Sequence, residues 1–239
     1  MSLILYLLQV TCCLAFFYGF YHLTLRKETL FETNRFYLVI TLASSIALPL
    51  IKIYIDSRES DPGILLAPYV YVGSYVETFS TGMSISQESP FPWDKLISGI
   101  YFLGVAVLAI RLLNAVKEIQ WIRKEGLHTM IDGQRCVLSS KVKSPFSFFK
   151  TIYFPKQHQF DETELKEIVA HELAHVKGRH TMDVLFMEVA CILFWPSPVI
   201  YLYRKALRDV HEFVADAAVI RDTPWEHYAE LLVGQQQGQ

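Results

Sequence analysis

The sequence predicts a mainly α-helical membrane protein. Three transmembrane helices lead into a small α+β domain that includes a re-entrant or interfacial apolar helical hairpin. Three observations predict this. Of 239 residues, 52% are hydrophobic and only 19% charged, and the mean hydropathy is +0.26, too apolar for an ordinary soluble domain. Three apolar runs each reach the roughly 20 helical residues that a bilayer requires. The remaining chain mixes short β-prone runs with amphipathic helical patterns.

The first span covers residues 3–23. No basic residue precedes it, and Arg26 and Lys27 follow it, so it reads as an uncleaved anchor. The second covers residues 36–55 and tolerates Pro49. The third covers residues 96–116, and residues 117–125 continue it as a helix. Orientation follows from positive charge. The short loop 24–35 carries Arg26, Lys27 and Arg35. The stretch after the third span carries Lys117, Arg123, Lys124, Arg135, Lys141, Lys143, Lys150 and Lys156. The loop 56–95 holds only Arg58 and Lys95. The N-terminus and loop 56–95 therefore lie outside, and everything after residue 116 lies on the cytoplasmic side of a multi-pass protein of the inner membrane. Arg111 snorkels from the third span toward the cytoplasmic interface. Tyr69, Tyr71 and Tyr75 suit a membrane boundary, so loop 56–95 reads as a cover over the spans. The division is a membrane domain over 1–116 and a cytoplasmic-side domain over 117–239.

The net charge of −2 gives no electrostatic footprint for nucleic acid. The four cysteines, Cys12, Cys13, Cys136 and Cys191, lack C-x-x-C spacing. They read as small apolar residues rather than a disulfide framework or a zinc site.

In the second domain, residues 129–154 are β-rich. Asp132-Gly133 signals a turn, and Cys136-Val-Leu and Thr151-Ile-Tyr-Phe are short strand-like runs. A sheet here is either a structural hairpin or an edge offered to an extended peptide. A helix follows over 161–178. Asp161 and Glu164 stand at capping-box spacing, Leu165, Ile168, Val169 and Leu173 recur on one face, and Gly178 marks the stop.

That helix carries His-Glu-Leu-Ala-His at 171–175. Spacing of i, i+4 puts His171 and His175 on one face, where both imidazoles reach a single ion. Glu172 is placed to deprotonate a water, as in the H-E-x-x-H zinc hydrolases. A zinc ion with three protein ligands and one open position needs a further donor. His180 is one candidate, but its spacing from Gly178 is one residue short of the metzincin pattern, and it reads as a polar residue of the following turn. Glu212 is the stronger candidate. Asp216 follows it by one helical turn and is placed to accept a hydrogen bond from a ligand histidine.

Residues 184–203 are apolar enough for a fourth span, yet a full crossing would set Glu212 and His171 on opposite faces of a bilayer about 30 Å thick. Pro196 and Pro198 break the segment, and Glu188 is unsuited to lipid. Two short arms follow, one ending near Trp195 and one starting near Val199, with the Glu212 helix running to about Arg221. Residues 225–233 form another helix, and 234–239 read as a low-complexity linker or cut end. Arg208, His211, His227 and Tyr228 are candidates for a transition-state donor.

The zinc motifs, His171-Glu-x-x-His175 with Glu212-x-x-Ala-Asp216, resemble the gluzincin branch of zinc peptidases. The stretch Ser144-Pro-Phe-Ser-Phe, ending in Ile152-Tyr-Phe-Pro155, and Trp195-Pro-Ser-Pro198 resemble the BlaR/MecR family of membrane metallopeptidases. The resemblance implies a gluzincin-like zinc peptidase domain that binds one Zn²⁺ through His171, His175 and Glu212. It implies an endopeptidase of signal transduction, cleaving itself or a cytoplasmic regulator such as a transcriptional repressor. Its partners would be a protein or peptide substrate, the lipid bilayer and a second copy of the chain in a homo-oligomer. β-Lactam-sensing members carry a C-terminal penicillin-binding domain, which these residues do not include. The signal would then enter through a further C-terminal region, loop 56–95 or a partner. Two other functions fit the same motifs: a quality-control protease similar to the HtpX and CAAX-prenyl proteases, and a non-catalytic transducer with a structural metal.

Overall fold

The computed structural model describes residues 3–51, 93–131, 133–157 and 160–220. Most of loop 56–95, the end of the second span, Asp132, the 225–233 helix, His227, Tyr228 and the 234–239 tail lie outside the described residues. Met1–Leu50 with Tyr101–Gln239 forms one compact unit, and Ile51–Ile100 forms a second. Among the described residues the fold is mostly helical with one small sheet.

Helix α1 (Leu3–Phe20) continues through a π-helical turn, Tyr21–Leu25, closed by the Arg26 N–H on the Tyr21 carbonyl at 2.9 Å. Helix α2 (Phe31–Ala47) begins and ends earlier than hydropathy predicts, giving way to a 3₁₀ turn at Leu48–Leu50. Pro49 has no N–H to continue the helix. At the other end, hydropathy discounts Asn34 and Arg35 as polar, but both are buried in protein. The Asn34 amide donates to the Leu25 carbonyl at 3.0 Å and so fastens the connecting loop. Helix α3 (Trp93–Glu125) is the third predicted span with its continuation. Leu3–Leu25 and Lys95–Glu125 are long and apolar enough to cross a membrane.

Four strands follow: β1 (Leu127–Ile131), β2 (Gln134–Ser139), β3 (Phe146–Phe148) and β4 (Thr151–Pro155), in the order β1-β2-β4-β3. β1 and β2 form an antiparallel hairpin at Gly133, whose positive φ of 74° suits glycine. β2 and β4 run parallel, and β3 pairs antiparallel to β4. Side chains alternate across the sheet. Cys136, Ile152 and Phe154 pack on Ile168 and Val169, whereas Val137 and Tyr153 pack on Ile122 of α3.

Helix α4 (Glu162–Gly178) opens with the Asp161 N–H donating to the Glu164 carboxylate at 3.4 Å, the expected arm of a capping box. Its end differs from expectation. Gly178 is the last helical residue, and Arg179 takes the left-handed conformation, with φ 54°. The glycine serves the helix that follows. A Cβ on Gly178 would lie 2.5 Å from Nε2 of His180.

Helix α5 (His180–Leu193) and helix α6 (Pro198–Ile220) are the two arms predicted around the proline break. At the corner between them, Trp195 Nε1 donates to the Tyr101 carbonyl at 3.3 Å, and the Tyr101 hydroxyl donates to the Leu193 carbonyl at 2.7 Å. Glu188 of α5 pairs with Arg204 of α6 at 2.7 Å. Ile200, Tyr203, Leu207 and Val210 form a helical stripe on α6 that joins Val10, Leu14, Leu38 and Leu42 in one core. Helices α1 and α2 therefore share their interior with the helix that carries Glu212.

Candidate metal centre

Helix α4 lies between the sheet and α6, so its inner face looks at α6. The i, i+4 spacing brings Nε2 of His171 and Nε2 of His175 to 3.2 Å. Glu212 reaches in from α6. One carboxylate oxygen lies 3.5 Å from Nε2 of His171, and the other 4.0 Å from Nε2 of His175. Among the described residues, the three groups offer ligand atoms that all lie within 4.8 Å of one another. A tetrahedral zinc with nitrogens at about 2.0–2.1 Å separates neighbouring donors by about 3.3 Å. The donor set and its spacing fit such an ion.

Both imidazoles are held from behind. Nδ1 of His171 lies 3.2 Å from an oxygen of Asp216. Nδ1 of His175 lies 2.7 Å from Nδ1 of His180. Asp216 favours a proton on Nδ1 of His171, and His180 does the same for His175 when its own proton sits on Nε2; Nε2 of each ring is then the atom that would bind the ion once any proton there is displaced. His180 thus differs from its expected place in a turn. It opens α5, is buried, and stacks on His211 with centroids 4.2 Å apart and planes 8° apart. Its burial follows from the left-handed corner at Arg179, which turns the chain straight into α5.

His211, a candidate transition-state donor, is buried. Its Nε2 lies 3.2 Å from Asp183. Arg208 is exposed on α6.

Burial pushes His171 down, but Asp216 and Glu212 outweigh it and raise the group to about 9. Burial, with the charge on His171, lowers His175 to about 4. Near pH 7 the metal-free pair therefore carries one positive charge, that of an extra proton on His171. That proton stabilises the metal-free fold fully below about pH 6.5 and is lost as pH rises through about 9. Zinc must displace it. At pH 7, zinc binding is expected to release about one proton, and apparent affinity to rise about tenfold per pH unit up to about pH 9. Calorimetry in buffers of different ionisation enthalpy counts that proton, and zero release contradicts this charge state.

Glu172 is buried, which raises its pKa, while His171 and both the hydroxyl and backbone of Ser147 favour its charged form. Ser147 stands in β3, within the Ser-Pro-Phe-Ser-Phe stretch. That stretch was the only signal for it, and no spacing rule assigns it a role.

Gly178 yields a local prediction. The His180 ring is pinned by His211 and has nowhere to swing. Gly178→Ala should therefore destabilise the protein by about 1–2 kcal/mol, against the helix-propensity gain of roughly 1 kcal/mol from alanine. Thermal unfolding checks this, and an unchanged or higher Tm refutes it.

The family model for the BlaR1 peptidase M56 matches residues 33–238. The chain belongs to the BlaR1 peptidase M56 family. The membership bears out the resemblance to the BlaR/MecR family read from Ser144–Pro155 and Trp195–Pro198. The match runs from the start of α2 through the helices that carry His171, His175 and Glu212. M56 peptidases are metallopeptidases. Two curated relatives align over the same order of length. The regulatory protein BlaR1 of Bacillus licheniformis is 27% identical over 169 residues, 62% of this chain and 28% of that protein. The regulatory protein BlaR1 of Staphylococcus aureus is 21% identical over 170 residues, 60% of this chain and 29% of that protein. The chain thus spans less than a third of the length of these relatives.

Proposed function

We infer that this chain is a membrane-embedded, zinc-dependent endopeptidase of signal transduction that cleaves itself or a cytoplasmic regulator such as a transcriptional repressor. The observation that carries this reading is the convergence of His171, His175 and Glu212, with each histidine oriented by its own partner. The regulatory role follows the name of the two relatives. The gluzincin assignment follows the pairing of the H-E-x-x-H helix with Glu212 and Asp216 on a second helix.

Zinc held by His171, His175 and Glu212 would supply polarisation of the peptide carbonyl and a lowered pKa for the attacking water. Glu172 takes the proton of that water and passes it to the leaving amine. Its burial raises its proton affinity toward the range a general base needs. Asp216 and His180 hold the imidazoles in the metal-binding tautomer. Edge strand β3 lies beside α4, and we assign it to an extended substrate.

We place α1, α2 and α3 as three spans, with the N-terminus outside and the zinc site on the cytoplasmic side. Phe102, Leu103, Val107, Ile110 and Leu113 of α3 each expose more than half of their surface, a face that lipid would cover. The α5–α6 corner meets α3 at Tyr101, about 22 Å along the helix from residue 116 at 1.5 Å per residue. That depth supports a re-entrant hairpin rather than one lying on the surface.

The test is proteolysis by the purified chain in detergent, using casein and self-cleavage mapped by mass spectrometry. Cleavage that a chelator abolishes and zinc restores is expected. Zinc bound without cleavage of either would favour the non-catalytic transducer. Cleavage confined to damaged membrane proteins would favour quality control.

A further inference from the structure

The metal-binding tautomer of His175 needs an acceptor for its Nδ1–H, and Nδ1 of His180, 2.7 Å away, is that acceptor when the His180 proton sits on Nε2. Three things fix the His180 ring. Gly178 closes one edge, His211 covers one face, and the left-handed residue Arg179 sets where the ring enters. His211 is itself held by Asp183 at 3.2 Å. The same Asp183 oxygen accepts from Nε of Arg35 at 2.6 Å. Arg35 belongs to α2, 148 residues earlier in the chain. Its Nη2 donates to the carbonyl of Gly178 at 2.5 Å, and its Nη1 lies 3.5 Å from Glu32.

One buried guanidinium therefore grips the last carbonyl of α4 and the first turn of α5. These are the two sides of the corner that positions His180. The diverging fork of arginine spans both acceptors at once, which a lysine ammonium does not. A buried arginine is costly, and it persists here with every nitrogen engaged.

We propose that Arg35 is a positioning residue for His175, acting through Asp183, His211 and His180, so that the shape of the metal site depends on where helix α2 sits. This rests on the metal-site reading and adds a route by which movement of a membrane helix alters the peptidase centre.

The test uses the full chain in nanodiscs and two readouts independent of proteolysis: zinc affinity by chelator competition, and the absorption spectrum of the Co²⁺-loaded protein. Circular dichroism and gel filtration verify folding. Arg35→Gln and His180→Leu should each weaken zinc binding about 10–100-fold and shift the Co²⁺ spectrum. His180→Asn keeps an acceptor where Nδ1 stood and should bind zinc within about threefold of wild type. The double variant Arg35→Gln/His180→Leu should be little weaker than His180→Leu alone, because both act on one path.

Fully additive losses would mean that Arg35 acts elsewhere, and would overturn the proposal. Folded Arg35→Gln with wild-type affinity and spectrum would also overturn it while leaving the metal site intact. Should Arg35→Gln fail to fold, Arg35→Lys in the same cycle takes its place, with the same outcomes deciding. Wild-type protein that binds neither metal would overturn the site and this proposal together.

Discussion

Glu172→Gln should lower kcat/KM for any peptide substrate by about 10²–10⁴-fold and leave the zinc content unchanged. Glutamine keeps the volume of the buried side chain and still accepts from the Ser147 backbone, so the fold should survive. What it loses is the ability to take a proton. The pH profile adds a second check on the wild-type protein. Burial raises Glu172, so the acid limb of kcat/KM should lie above the ordinary carboxylate range. Activity then falls as pH drops through that raised value. Glu172→Gln turning over at the wild-type rate would remove this residue from the chemistry.

The second large effect concerns the metal itself. Glu212→Gln and His175→Ala should each cost about 100-fold or more in zinc affinity, beyond the 10–100-fold expected for an orienting residue such as Asp216. The ranking carries the claim. Glu212 is half-exposed at the edge of the site, so its replacement leaves no buried cavity and should hardly alter Tm. Asp216→Asn keeps size and shape while removing the charge that fixes Nδ1–H on His171. Zinc content after equilibration with a competing chelator gives the order. If Asp216→Asn proves worse than Glu212→Gln, the assignment of ligand and orienting residue is reversed.

Much of the site is legible along the chain because its signals are local. The capping box, the i, i+4 histidines, the proline break and the i, i+4 pair of Glu212 and Asp216 each sit within one or two helical turns. The residues that complete the site are not local. Nothing in the spacing ties Arg35 to Asp183, since their meeting depends on how α2 packs against α6. The pattern after Gly178 matches no ligand motif, so it reads as a turn, and a buried side chain that holds another histidine has no motif of its own. The sheet shows the same limit. Its strands follow from β-prone runs and a turn, but the parallel pairing of β2 with β4 depends on how the chain between them folds back. The early start of α2 was hidden by hydropathy, which counts Asn34 and Arg35 as unfit for lipid and has no term for burial against protein.

The most direct test is zinc-edge X-ray absorption on the full chain after zinc loading. The account predicts one zinc per chain, with two imidazoles at about 2.0–2.1 Å, oxygen donors completing the sphere and no sulfur near about 2.3 Å. His171→Ala should remove one imidazole from the signal. A site with sulfur, or imidazole scattering unchanged by that substitution, would contradict the assignment of the metal to His171, His175 and Glu212.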